Sequence, residues 1–389
     1  MTHEAKIVLD SVRDLAPTIS ARAAEIESAR RLPLDLLGQL IAAGCFRMFV
    51  PKSQGGLEVD YPTTMEIIET LATADGATGW AVMIGCETPM LLALMSPKRF
   101  AELYADTPDL IIAGGFAPRG TAELLGDGTY RAKGRWAFAS GCQHSSWLMG
   151  NCVVTENGRP RAGAIPGAPE IRAMLFKAER ATILDTWTVS GLRGTGSHDI
   201  AVEDVIVPAE DTFDIFLGRP TIPGPALAEA LLYAALHIGA VGVGIAERAL
   251  RETILLAGTN KQRLYAQSSI AASPLFQYRL GHAATSLRAA RGLLRGEAES
   301  VWASAVAGRV ATPADRSRVM GTITWVAHTA ASVVDACYTA GGGTSPYDTS
   351  PLQRCLRDIH TLTQHAAVAE SWLSGAGLSL LGTDSGFAV

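Results

Sequence analysis

Aromatic rings, hydroxyls and an imidazole crowd into one stretch of the chain, Gly134-Arg-Trp-Ala-Phe-Ala-Ser-Gly-Cys-Gln-His-Ser-Ser-Trp147. Trp136 and Phe138 could wall a flat ring and Ser140 or the backbone at Gly141 could hold a polar atom on its edge. His144 could shuttle a proton, since imidazole titrates near neutral pH. The plainer interpretation of the same residues is a strand with a core Trp and a turn. A second polar group, Asp185-Thr-Trp-Thr-Val-Ser-Gly-Leu-Arg-Gly-Thr-Gly-Ser-His-Asp199, offers the hydroxyls of Thr195 and Ser197. Its Gly191, Gly194 and Gly196 would let backbone approach a planar or phosphorylated ligand. No G-x-G-x-x-G follows a strand and opens a helix, so this is not a dinucleotide fingerprint. Glu87 lies in a very apolar run with Trp80 and Met90, where a carboxylate is costly unless paired or functional. It either faces solvent or an Arg, or accepts an N–H or O–H from a substrate.

The elements that must position these groups follow from periodicity. Helical spacing runs from about residue 4 to 31, again from Pro33 to a stop at Gly44, from Pro62 to Asp75, and from Thr78 to about Met95 with Glu87 inside it. Between Ile111 and Val207, short apolar runs separated by Gly, Pro and Asn predict strands over Leu110 to Ala113, Tyr130 to Phe138, Leu148 to Val154, Ala162 to Ile165 and Ile200 to Val207. Alternation puts Tyr130, Ala132, Gly134, Trp136 and Phe138 on one side of their strand. Four long Ala-rich blocks, about 225 to 257, 273 to 308, 313 to 340 and 351 to 381, predict an antiparallel bundle. Gly239, Gly242 and Gly244 fall mid-helix and suggest close packing. The expected domains are residues 1–110, helical; 111–222, a small β-barrel or sandwich; and 223–389, a four-helix bundle.

Composition narrows the function classes. With 389 residues, 48% of them apolar, the chain can bury substantial cores without staples. A net charge of −5 with no Lys/Arg block gives no basis for nucleic acid or an anionic membrane as partner. The six cysteines form no C-x-x-C pair, so neither a metal site nor a disulfide framework is signalled. The N-terminus has no secretory pattern and no run reaches the length of a membrane span, which predicts a cytoplasmic protein.

The Trp136 to Trp147 stretch resembles the flavin-contacting strand and turn of the acyl-CoA dehydrogenase superfamily. Further segments resemble that superfamily in the expected order: Val50-Pro51 to Gly55-Gly56, Phe116-Ala-Pro-Arg-Gly120, the Gly191 to Ser197 signature, Gly341-Gly-Gly343, and Arg354-Cys-Leu-Arg-Asp358. The resemblance implies the acyl-CoA dehydrogenase-like fold, and Phe116, Gly342 and Gly343 as flavin contacts. It also implies Arg263 and Gln277 on the flavin phosphates, and a tetramer built as a dimer of dimers. The dehydrogenases carry their Glu base eight residues beyond this Asp, where the present chain has Ala366 followed by Ala367. Glu247 and Glu252 are the alternative positions for that base. Asp358-Ile-His360 and Gln364-His365 instead look like the two-component flavin monooxygenases, with Asp358 and His365 in the catalytic set beside Ser140 and His144.

What that branch implies is the oxygenase component of a monooxygenase. It would hydroxylate a small aromatic or heteroaromatic compound through a flavin C4a-hydroperoxide, with FMNH₂ or FADH₂ from a separate NAD(P)H:flavin reductase and O₂ as co-substrate. Such an intermediate lasts only where water is excluded. Trp80, Glu87, Met90 and His365 are then the expected substrate walls. An acyl-CoA dehydrogenase-like enzyme, or an N-oxygenase of an amine or amino sugar, are the alternatives on the same fold. His360 is expected to pair with Asp358 or to cap neighbouring groups, and His3, His237, His282 and His328 to be structural or at the surface.

Overall fold

Each helix of the N-terminal region begins and ends where local chemistry requires. A computed structural model describes residues 2–259, 262 and 268–383. Its first helices are α1 (His3–Ala21), α2 (Ala23–Ala29), α3 (Leu34–Ala42), α4 (Tyr61–Ala74), α5 (Gly76–Cys86), α6 (Thr88–Leu92) and α7 (Pro97–Leu103). The single helix expected over 4–31 is divided at Arg22. Gly44 stops α3 with a φ of 82° that other residues rarely adopt. Asp60 caps α4 and Asp75 caps α5, each carboxylate accepting an amide of the first turn, from Thr63 and Thr78. The apolar run from Thr78 is not one helix: Pro89 lacks an amide hydrogen and starts a new segment, so Glu87 sits at the α5–α6 junction.

One mixed sheet of eight strands follows: β1 (Ile112–Leu124), β2 (Tyr130–Trp136), β3 (Trp147–Glu156), β4 (Arg159–Pro160), β5 (Ile171–Lys177), β6 (Thr182–Leu184), β7 (Asp199–Val207) and β8 (Thr212–Phe213). Their order is β6-β7-β2-β1-β3-β5-β8, with β4 on β3, and only β1 and β3 are parallel. Trp136 fills the core of this sheet. It is 1% exposed, its Nε1–H donates to Asn151 O at 2.7 Å, and a Cβ at Gly120 or Gly150 would come within 2.3 Å of its ring. It therefore cannot wall a ligand. The alternation that put Phe138 on the same side ends one residue after Trp136, because Phe138 takes φ 66° and turns its ring outward. Ala162 to Ile165 is not a strand. Ile171–Lys177 is one, and its Ala, Met and Leu gave no strand signal.

The C-terminal helices are α8 (Ala230–Gly258), α9 (Pro274–Val306), α10 (Pro313–Gly341), α11 (Pro351–Leu362) and α12 (Ser371–Leu380). Among the described residues only Ala230–Gly258 is long and apolar enough to cross a membrane, and it is buried in the bundle. The fourth predicted block is interrupted between Leu362 and Ser371, where His365 Nδ1 accepts the Ala367 amide and caps a short turn.

Residues 191 to 197 lock the three groups of elements together. A Cβ at Gly191 would lie 2.1 Å from the Arg357 carbonyl of α11, and one at Gly194 would meet Ile26 of α2 at 2.3 Å. Leu192, in the left-handed region with φ 51°, donates its amide to Asp358 Oδ1 at 2.6 Å. At Gly191 and Gly194 the missing Cβ is what lets these segments pack this closely.

Asp358 is buried, and burial, then the nearby Asp75, raises its carboxyl from 3.8 to about 7. A carboxyl whose pKa is raised by folding holds its proton more tightly in the folded state. Its stabilising contribution is complete below about pH 4 and is lost as pH rises through about 7. Asp358→Asn keeps an acceptor oxygen for Leu192 without that ionisation. Its stability in urea should therefore gain on the wild type between pH 5 and pH 8, and parallel stability curves would remove Asp358 as a source of the pH dependence.

Candidate active site

Two turns that would each be irregular alone are joined into one surface. The turn after β2 and the turn before β7 exchange backbone hydrogen bonds, Ala139 N–H to His198 O at 3.1 Å and Gly141 N–H to Thr195 O at 2.9 Å. Phe138 and Gly141 in the turn after β2, and Leu192 and Gly196 in the other, all have positive φ. Non-glycine residues held there cost conformational energy, and such strain gathers where function fixes a side chain.

The joined turns align a row of small polar side chains. Trp80 Nε1–H of α5 donates to Ser140 Oγ at 3.1 Å, Ser140 Oγ meets Ser197 Oγ at 2.7 Å, and Ser197 Oγ meets Thr195 Oγ1 at 2.7 Å. Thr195 Oγ1 donates to Leu192 O at 2.8 Å. All four side chains are buried. On its other side Trp80 receives His365 edge-on, with ring centroids 5.5 Å apart and planes at 68°. Thus Trp80, Ser140, Thr195, Ser197 and His365, from four separate segments, converge. His365 itself reaches solvent, while the protein packed round its ring holds the imidazole below its ordinary pKa. Because Nδ1 accepts the Ala367 amide, the hydrogen of the neutral ring is on Nε2.

Beside this row lies exposed aromatic surface. Phe138 is 71% exposed with Trp187 edge-on at 6.2 Å, and Phe116 is 42% exposed. His198 is buried, its Nδ1 accepts the Trp187 amide at 3.2 Å, and its Nε2 has no partner among the described residues. A flat apolar face next to hydroxyls fits an isoalloxazine, whose edge carries several hydrogen-bonding atoms.

Other expected site residues are elsewhere. His144 packs under Gly141, neither ring nitrogen has a partner among the described residues, and burial, then Arg31, lowers its pKa to about 4. It stays neutral at physiological pH and is not poised to shuttle protons. At Gly196 the side where a Cβ would stand is filled by Gln143 Oε1 at 2.8 Å and Arg30 O at 2.9 Å. Asp358 anchors the Leu192 amide and makes no direct contact with the Ser140 row. His360 bonds Asp335 at 2.8 Å and not Asp358, since residues two apart on a helix face different ways. Gln277, on the first turn of α9, donates to Ala271 O, and its neighbour Phe276 packs with Ala340 near Gly342 and Gly343 at the end of α10. These form a second group with no hydrogen bond to the Ser140 row among the described residues. Arg263 lies outside the described residues.

Glu87 does have a partner. Its Oε1 is 2.8 Å from His237 Nδ1, and His237 Nε2 is 3.3 Å from Thr64 Oγ1, in a buried box with the rings of Phe49 and Tyr61. Position 87 is seven residues after Trp80, two turns along the same face and about 10 Å away. Met90 is 1% exposed and belongs to the same apolar core. His237 had been expected to be structural or at the surface; an apolar 3.6-residue pattern gives no sign that one of its members pairs with a distant carboxylate. His198 was visible as part of the Gly-Ser-His-Asp run, without a role.

The alternative dehydrogenase bases are occupied. Glu247 bonds Arg251 and Arg291, both at 2.7 Å, and Glu252 bonds Arg248 at 2.7 Å. Burial would raise the Glu247 carboxyl, but the two guanidinium groups outweigh it and hold it below the usual range. Both line a charged cleft of about 640 Å³ with Arg13, Glu66, Glu69 and Arg295, and the Ser140 row is no part of its lining.

Comparison with known proteins agrees with this arrangement. Residues 2–98 match the model of the acyl-CoA dehydrogenase N-terminal domain, and residues 236–370 match that of an acyl-CoA dehydrogenase C-terminal domain. The chain is 34% identical to an indole-3-acetate monooxygenase of Pseudomonas putida, over 96% of this chain and 92% of that one. It is 31% identical to the oxygenase subunit HsaA of a flavin-dependent monooxygenase of Rhodococcus jostii, over 91% and 92% of the two chains. The structure of XiaF from a Streptomyces species, in complex with FADH2 and glycerol, superposes with a TM-score of 0.91 at 25% identity, over 98% of this chain and 96% of that one. By this similarity along nearly its whole length, the chain belongs to the acyl-CoA dehydrogenase superfamily, in its branch of flavin-dependent monooxygenases.

Proposed function

We propose that this protein is the oxygenase component of a two-component monooxygenase that hydroxylates a small aromatic or heteroaromatic compound, using reduced FAD or FMN delivered by a separate reductase. The observation that carries the proposal is the convergence on Trp80 of Ser140 and His365 beside the exposed face of Phe138. Reduced flavin, when bound, supplies the two electrons and two protons that balance the transfer of one oxygen atom of O₂ to the ring and release of the other as water. Phe138 and Phe116 would shelter the flat cofactor, and Ser140 would hold N5. Trp80 separates that side from the substrate and keeps water from it. His365 presents Nε2–H, which would donate a hydrogen bond to the departing oxygen.

Gln277, Gly342, Gly343 and Arg263 are proposed for the phosphate end of the cofactor, and a homotetramer for the assembly. Exposed Tyr278 and Trp325 on α9 and α10 support such an assembly by the apolar area they leave open. Glu87, fixed by His237, supports a substrate with an N–H or O–H directed at it.

The test is to supply reduced flavin through a reductase under ¹⁸O₂ with indoles and phenols and to analyse the products by mass spectrometry. One ¹⁸O atom in a hydroxylated ring is the expected result. No incorporation from any such compound, with bleaching of bound oxidised flavin by an acyl-CoA, would replace the proposal with a dehydrogenase. In His365→Ala, product per reduced flavin should fall about tenfold or more while H₂O₂ rises, and normal coupling would remove that imidazole from the reaction. As the His365 pKa is lowered by burial, the wild-type coupling should stay level down through the ordinary imidazole range and fall only in more acidic solution. A midpoint at or above the ordinary imidazole pKa would assign the profile to another group.

A further inference from the structure

The row of hydroxyls has a direction. The Leu192 carbonyl can only accept, so the one hydrogen of Thr195 Oγ1 goes to Leu192 O at 2.8 Å. In the 2.7 Å contact between Thr195 and Ser197 the donor must then be Ser197. Ser197 has spent its hydrogen, so Ser140 is the donor in its 2.7 Å contact with Ser197. An indole nitrogen only donates, and Trp80 Nε1–H takes one lone pair of Ser140 Oγ. What remains on Ser140 is a single lone pair.

From this we infer that Thr195, Ser197 and Trp80 are positioning residues that make Ser140 an acceptor only, so that the site distinguishes reduced from oxidised flavin at N5. Reduced flavin carries a hydrogen on N5 and satisfies that lone pair. Oxidised flavin has a lone pair on N5 and would face another. Reversing the row requires Thr195 to give up Leu192 O, which keeps the Trp187 Nε1–H at 3.1 Å and the Thr195 amide at 3.2 Å. Reversal therefore forfeits one hydrogen bond, worth about a tenfold preference. This inference rests on the proposed position of Ser140 at N5. It adds that the hydroxyl's orientation is set two residues away.

The test is binding, not turnover. Dissociation constants of the full-length protein are measured for oxidised FAD and FMN by fluorescence and for the dithionite-reduced forms under anaerobic conditions. Thr195→Val removes the acceptor for Ser197, whose hydrogen can then turn to Ser140 and free the Ser140 hydrogen for N5 of oxidised flavin. The preference for reduced flavin should fall about tenfold, chiefly through tighter binding of the oxidised form. Ser197→Ala should do the same, and Thr195→Ser should retain the wild-type ratio. General loosening of the loop would weaken both redox forms together and leave the ratio in place. If Ser140→Ala weakens reduced flavin while Thr195→Val and Ser197→Ala keep the wild-type ratio, the direction of the row has no role and the inference fails alone. If Ser140→Ala alters neither constant, the position of Ser140 at N5 is wrong, and the inference falls with it.

Discussion

A backbone amide with positive φ cannot join a regular ladder, and when buried it must find an acceptor elsewhere. The Leu192 amide finds Asp358, on a helix 166 residues later in the chain. Much depends on that bond. It holds the 191–197 segment against α11, and the same segment packs on Ile26 and Ala77 of the N-terminal helices and bonds the turn after β2. Ser197 and Thr195 are therefore carried on a loop whose conformation is fixed from three directions, and Ser140 is fixed by them.

Burial and then Asp75 raise the Asp358 carboxyl to about 7, so it is only partly ionised at neutral pH. A fully charged carboxylate there would be a buried charge, which is costly unless it is fully paired. The groups at the convergence itself are an indole, three hydroxyls and an imidazole whose pKa is lowered. They exchange hydrogen bonds without carrying formal charge, so the electrostatic character of the site is left to whatever binds there. In the charged cleft that Glu69, Glu247 and Arg248 line, the charges are paired: Arg291 bridges Glu69 and Glu247, and Arg248 meets Glu252.

Helix and strand order was legible because it depends on local pattern: Gly44, Asp60, Asp75 and the prolines mark ends for reasons that act within a few residues. Ser140, Thr195, Ser197 and His365 were legible as types in suggestive runs. Which of their neighbours they touch was not. Trp136 and Phe138 belong to one alternating series, yet one is the core of the sheet and the other is exposed, because a single positive φ at Phe138 reverses the side. The glycines at 191, 194 and 196 have the composition of a ligand cradle and also form a close interface, which is visible only once Arg357, Ile26 and Gln143 are known to lie against them. His237 carried no signal at all, since its partner is 150 residues away.

That last pair shows what hydrogen counting can add where sequence is silent. Thr64 Oγ1 gives its hydrogen to Tyr61 O at 2.7 Å, so toward His237 Nε2 it can only accept, and Nε2 must carry a hydrogen. The contact between His237 Nδ1 and Glu87 Oε1 then holds one proton, either on the ring with a carboxylate opposite or on the carboxyl with a neutral ring. In both cases the pair has no net charge, which is how a carboxyl and an imidazole can share a box walled by Phe49 and Tyr61 without the full penalty of burial. The proton can move across 2.8 Å without changing the charge of the core.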